Sequence, residues 1–339
     1  MTTLTTALPA LRQIKLLHSI RRAWAANWLL TLAGLAHLAL IPLFLVAWAV
    51  DPSTILGQPA WVKPLKFALS GGIYAFTFLW LLGYVRGWPR FKQFAAGATG
   101  VALLVETSLI AMQVIRGTAS HFNAATVFDA TVFSIMGGFI TLIALLNLGL
   151  AILLLGQRLP DPVFAWGLRL GVLISFAGMA VAFLMTAGPT PAQRQLLAAG
   201  EPVTAIGAHS VGVEDGGPGL PLVGWSTEGG DLRVPHFVGL HGMQMLPLVG
   251  WVLTRPAMRR RLPQAHRLVL VWTAGLNYLG LTLLLTWQAL RGQPLTAPDG
   301  ATWSAFALLA GTVLLTTLFT WWHGQQVPSG VAGSLPNNS

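Results

Sequence analysis

Residues 27–50 read NWLLTLAGLAHLALIPLFLVAWAV, a run of 24 residues without one aspartate, glutamate, lysine or arginine. As a helix this run rises about 36 Å, enough to cross the hydrocarbon core of a bilayer. It leaves no polar face for water, so it does not read as a surface helix of a soluble domain. No small-residue cleavage site follows it, so it reads as a span rather than a cleaved leader.

Seven further runs repeat the pattern, at roughly 65–85, 93–115, 129–155, 163–186, 236–254, 267–289 and 302–322. The sixth span, 236–254, is short and holds Pro247. The chain as a whole agrees: hydrophobic residues make up 54% and charged residues 9% of 339, against about 25% charged in a soluble domain. That balance excludes a soluble globular enzyme and a disordered chain. The runs do not alternate, so a transmembrane β-barrel is excluded as well. The sequence therefore predicts an all-α, polytopic integral membrane helical bundle of about eight transmembrane helices. Residues 1–26 read as a basic, weakly amphipathic segment, with Leu11, Ile14 and Leu17 among Arg12, Lys15, Arg21 and Arg22. A single transmembrane domain then covers 27–322, and 323–339 reads as a flexible cytoplasmic tail. Inside that domain, residues 189–235 carry Gly-Gly pairs, Pro218, Pro221 and several acids, which predicts a loop with a short helix near 191–199.

Charge sets the orientation. With the amino terminus inside, the inner segments hold Arg12, Lys15, Arg21, Arg22, Arg86, Arg90, Lys92, Arg158, Arg169, Arg255, Arg259, Arg260, Arg261 and Arg267. The outer set is Lys63, Lys66, Arg116, Arg194, Arg233 and Arg291. Fourteen against six is a strong inside bias, so both termini are expected in the cytoplasm of a bacterial inner membrane. The net charge of +10 is thereby explained by topology and does not point to nucleic acid. Cysteine is absent, so no disulfide, thiolate ligand or cysteine nucleophile exists. The expected surroundings are the lipid bilayer itself.

The chemistry then rests on polar residues within or beside the spans. Glu106 lies nine residues from the outer end of the third span, about 14 Å deep. A lipid-facing carboxylate there is costly, so it should face the bundle interior, near His37 or Asn277 at matching depth. Gln113 returns to the same face two turns on, and Arg116 caps that track. The seventh span repeats the design with Asn277, Gln288 and Arg291. Lys63 and Lys66, flanking Pro64, share one side of a first turn and suit an anionic group or lipid head groups. The linker from Arg116 to Asp129 adds His121, with Asp129 placed to cap the fourth helix. Gly229–Gln244 brings His236 and His241, five apart and so about 140° around a helix, unlike a same-face metal pair. Each polar group also has an ordinary structural reading, as a cap, a packed core residue or an interhelical hydrogen bond.

Three functions follow as expectations. The first is a membrane-embedded enzyme or redox protein with an outward-facing polar site. There Glu106 and Asp129 handle protons, and His121, His236 and His241 ligate a transition metal or b-type haem. Lys63, Lys66 and Arg116 would hold a small-molecule, quinone or anionic substrate. The second is a small-solute transporter or channel whose route is lined by Glu106, Gln113, Asn277, Gln288 and Arg291. The third is a membrane sensor or assembly protein. The orientation is checked directly: a cysteine introduced at Thr204 is expected to react with an impermeant maleimide from outside only. Reaction from the cytoplasmic side alone would reverse the assignment.

Overall fold

Asn27 opens the first membrane helix by accepting the Leu30 amide on its side-chain oxygen at 2.9 Å. That bond satisfies one of the amides that every helix start leaves without an intrahelical partner. The computed structural model describes residues 17–326. Of the expected amino-terminal segment, residues 1–16 lie outside the described residues, as do 327–339 of the expected tail.

A short helix α1 (17–26) leads into α2 (Trp28–Val50). The long helices α3 (Val62–Leu82), α4 (Pro89–Ile115), α5 (Val127–Gly156) and α6 (Pro162–Met185) follow. After α7 (Pro191–Ala198) come α8 (Arg233–Leu240), α9 (Gly242–Leu253) and α10 (Pro256–Arg261). The long α11 (Gln264–Leu290) and α12 (Gly300–Gln326) complete the order. Two minimal antiparallel hairpins sit in loops: β1 (Thr54–Ile55) with β2 (Gln58–Pro59), and β3 (Ser210–Val211) with β4 (Gly230–Asp231). The protein is an all-α, multi-pass membrane protein. Among the described residues, seven continuous helices are long and apolar enough to cross a bilayer.

The sequence leads to eight spans, and the difference lies at 236–254. That run is two helices, α8 and α9, meeting at His241. At the join the Val238 carbonyl accepts the Tyr278 hydroxyl at 2.7 Å. A side chain thus serves a carbonyl where the ladder is interrupted, which is how broken helices are tolerated at membrane depth. The short helix expected near 191–199 is present as α7.

The chain forms two compact units. The first comprises residues up to Leu146 together with Gln195–Ile206, and the second Asn147–Arg194 with the chain from Gly207 onward. In the first, α2, α3 and α4 pack together. Gly100 lets α4 approach α2: a Cβ there would stand 2.9 Å from the Leu29 carbonyl oxygen. Phe44, Leu65 and Ala68 form one core cluster, and Ile110, Val132 and Met136 another.

In the second unit, α6 packs on α8, α9 and α11, and α12 lies on α11. Asp161 caps α6 by accepting the Val163 amide at 2.9 Å and the Phe164 amide at 3.1 Å. Arginines serve helix carboxyl ends. Arg169 donates to the carbonyls of Leu154 and Gln157, and buried Arg267 to those of Leu253 and Leu262. A cation is favoured there by the helix dipole. The loop after α7 is clasped by Asp215, which receives the His209 ring nitrogen at 2.6 Å and the amides of His209 and Ser210. Burial pushes the Asp215 carboxyl up, but the bonds and charge of His209 outweigh it and hold the group well below the usual carboxylate range.

Backbone contact between α6 and α8 depends on Gly178 and Gly239. A Cβ on Gly178 would lie 2.5 Å from the Gly239 carbonyl carbon, whereas one on Gly137 meets nothing within 4 Å. Gly178→Ala is therefore expected to destabilise by about 1–3 kcal/mol, as overpacking does. Gly137→Ala should be neutral or better, and thermal unfolding of both variants in the same detergent compares them.

Candidate functional site

Helix α4 begins at Pro89, whose fixed φ suits a first helical position. It runs 27 residues and buries Thr99, Glu106 and Gln113, seven apart and therefore on one face. The Glu106 side chain is 2% exposed, and neither carboxyl oxygen has a hydrogen-bond partner. Buried polar atoms are nearly always paired, so an orphaned carboxyl marks a place where the fold leaves room for chemistry.

The α4–α5 connection folds back onto this carboxyl. Gly117 takes φ 69° straight after the helix, a conformation that glycine adopts without steric cost. Asn123, 5% exposed, then fixes the loop by donating to the Ala119 carbonyl and the Thr118 hydroxyl, both at 2.9 Å. The Ala124 amide meets the Thr204 carbonyl at 2.8 Å. These bonds hold His121 among Phe67, Phe122 and Phe133. His121 Nδ1 lies 3.1 Å from both Lys63 Nζ and Ser120 Oγ, and Nε2 lies 3.9 Å from Glu106 Oε1. An ammonium can only donate, so Nδ1 accepts and the neutral ring carries its hydrogen on Nε2, facing Glu106.

A second cluster closes the start of α5. Asp129 pairs with Arg116 at 2.5 Å and receives Gln113 Nε2 at 2.9 Å and the Thr126 hydroxyl at 2.6 Å. Its own amide donates back to Thr126 Oγ1 at 3.1 Å. Arg116 also bonds the Gln113 side-chain oxygen and lies over the Phe128 ring. Asp129 thus has a full set of partners where Glu106 has none, and the two acids expected to handle protons part ways. Lys66, one turn along α3 from Lys63, is half-buried.

His37 is fully buried and fully engaged. Nδ1 meets the Ala33 carbonyl at 2.7 Å and Nε2 the Thr107 hydroxyl at 2.9 Å. A Cβ on Gly71 would stand 2.5 Å from that same Nε2, so a glycine on α3 makes room for the ring. Thr107 and His37 therefore tie α4 to α2 one residue from Glu106.

The other expected site residues lie in the second unit. His236 Nδ1 meets the Gly178 carbonyl at 2.8 Å, and His241 stands against Phe237 at the α8–α9 join. Asn277 donates to the Thr273 carbonyl and Gln288 to that of Pro294, each at 2.8 Å. Arg291 pairs with Asp299 and stacks on Trp287. Asn277 and Gln288 bond within their own helix or the turn that follows it, while Arg291 also reaches the Thr302 hydroxyl on α12 at 3.3 Å. Among the described residues, no group of three or more histidine, aspartate or glutamate side chains gathers at one point to hold a metal ion.

Sequence reasoning misses the Lys63–His121 approach, which the chain folds together across 58 positions. It also misses Thr99, although the repeat of seven between Thr99, Glu106 and Gln113 is visible in the sequence. No family model, curated protein or solved structure matches the chain.

The His37–Thr107 tie generates a stability test. Thr107→Val keeps the shape and leaves a buried imidazole nitrogen without its partner, a loss of about 1–3 kcal/mol. Thermal unfolding in detergent reads it, and an unchanged midpoint would remove the tie from the account.

Proposed function

We infer that this multi-pass membrane protein is an acid–base device whose working group is the Glu106 carboxyl, with His121 passing protons between that carboxyl and the α4–α5 loop. One observation carries this reading. A carboxyl with no hydrogen-bond partner lies 3.9 Å from an imidazole whose far nitrogen is held at 3.1 Å by Lys63 and Ser120. The imidazole takes a proton at Nδ1 and gives one up at Nε2, and a flip of the ring then restores the Nε2–H form for the next proton. The 3.9 Å gap exceeds a hydrogen bond, and such contacts commonly tighten when substrate or charge arrives.

The charge balance of the loops supports an outer position for the α4–α5 connection, and on that reading the proton exchanges with the outside. Lys63 supplies a positive charge beside the relay, which suits a small anionic or carbonyl-bearing molecule. The same ammonium disfavours a metal cation at His121. In the second unit one observation supports a haem or metal reading. His236 directs Nδ1 at the Gly178 carbonyl, so in such a site Nε2 would be the ligating nitrogen, in the way that outer-shell hydrogen bonds orient metal ligands. An optical spectrum and metal analysis of one purified sample decide that reading.

The relay is tested by infrared spectroscopy of the purified protein after a rapid pH change. Glu106→Gln is expected to remove one carboxyl band. His121→Ala is expected to keep that band but to slow its proton exchange by about 100-fold or more, the usual scale of general acid–base help. A band that exchanges equally fast without His121 would exclude the relay.

A further inference from the structure

We propose that helix α4 carries protons through the membrane, with Glu106 as the central exchange point and the Thr99 hydroxyl as the next station towards the opposite face. This rests on Glu106 being an exchanging group, as argued above, and adds a second exit. One face of α4 repeats a polar side chain every seven residues: half-buried Lys92, then buried Thr99, Glu106 and Gln113. Seven residues are close to two turns, so all four share a face that extends about 31 Å, the thickness of the hydrocarbon core.

Thr99 is the telling member. Threonines in membrane helices usually return their hydroxyl to the carbonyl four residues back. Thr31, Thr77, Thr131 and Thr282 do so here at 2.7–2.9 Å. Thr99 is fully buried, yet its oxygen has no partner. Two consecutive stations on one face, Thr99 and Glu106, thus hold buried polar atoms that the protein itself leaves unsatisfied. Ordered water is the ordinary occupant of such places. The stations are about 10.5 Å apart along the axis, a gap that a chain of about three hydrogen-bonded waters closes.

No covalent change is needed. A proton entering at His121 Nδ1 displaces one from Nε2 to the Glu106 carboxylate. The Glu106 proton then passes along water to the region of Thr99 and leaves beside Lys92 and the exposed Gln93. Once a flip of the His121 ring restores its Nε2–H form, the net event is one proton moved from one side to the other, driven by the gradient alone.

The test uses the full chain in liposomes with a pH gradient, the membrane potential clamped by potassium and valinomycin, and a trapped pH dye. Wild type is expected to dissipate the gradient faster than protein-free vesicles. Glu106→Gln should abolish the excess rate, and Thr99→Val, which keeps the shape but removes the hydroxyl, should reduce it by about tenfold or more. Thr99→Ser should retain it, and matching unfolding temperatures show that the variants remain folded. No excess rate in wild type, or wild-type rates in Thr99→Val or Glu106→Gln, overturns the route, as does a Thr99→Ser variant that fails like Thr99→Val. The infrared band separates the two ideas. If Glu106 exchanges its proton but no flux is seen, the transmembrane route fails and the one-sided relay stands. If the carboxyl exchanges with neither side, the relay itself fails.

Discussion

Every backbone amide and carbonyl at membrane depth must find its partner within the chain, because hydrocarbon offers none. The rest of this structure follows from that constraint. Asn27 and Asp161 occupy free amides at helix starts, while Arg169 and Arg267 occupy free carbonyls at helix ends. Where α8 gives way to α9, the Tyr278 hydroxyl takes the Val238 carbonyl. The polar side chains of the spans divide accordingly. Most are spent on such duties, and the few that are not become conspicuous.

Glu106 and Thr99 are the conspicuous ones on α4. Among the described residues of the first unit, no other buried side-chain nitrogen or oxygen lacks a hydrogen-bond partner. His37 uses both nitrogens, Asp129 receives a glutamine, an arginine and a threonine, and Asn123 locks the loop that carries His121. A scaffold that satisfies its structural groups so thoroughly gives meaning to a carboxyl left without a partner. The same scaffold sets the geometry on which the proposed relay rests. The turn at Gly117 and the bonds of Asn123 decide that the imidazole stands between an ammonium and a buried acid. Phe67, Phe122 and Phe133 pack around the ring.

Glycine supplies the other half of the design. Close helix approach in a membrane gains from van der Waals contact rather than from the hydrophobic effect, so small residues appear where backbones meet. Gly100 against Leu29 and Gly178 against Gly239 are such meetings, within the first and second unit respectively. Gly71 serves a different end by leaving space for the His37 ring, which in turn reaches Thr107 beside Glu106.

The sequence by itself determined the membrane class and the places of the long helices, since an apolar run of more than twenty residues has few other fates. It also singled out Glu106, because a carboxyl deep in an apolar run must turn inward. It could not separate Glu106 from Asp129. Both are acids with a reading as proton handlers, one deep in its span and the other in the first turn of the next helix, and only the tertiary structure decided which has partners. Nor could it read the break at His241, since hydropathy records the apolar content of 236–254 but not the continuity of its hydrogen bonds. The approach of Lys63 to His121 depends on how the loop after α4 turns back, and the orphaned hydroxyl of Thr99 depends on which carbonyls lie within its reach. Both are settled by packing in three dimensions, which composition and spacing along one chain do not encode.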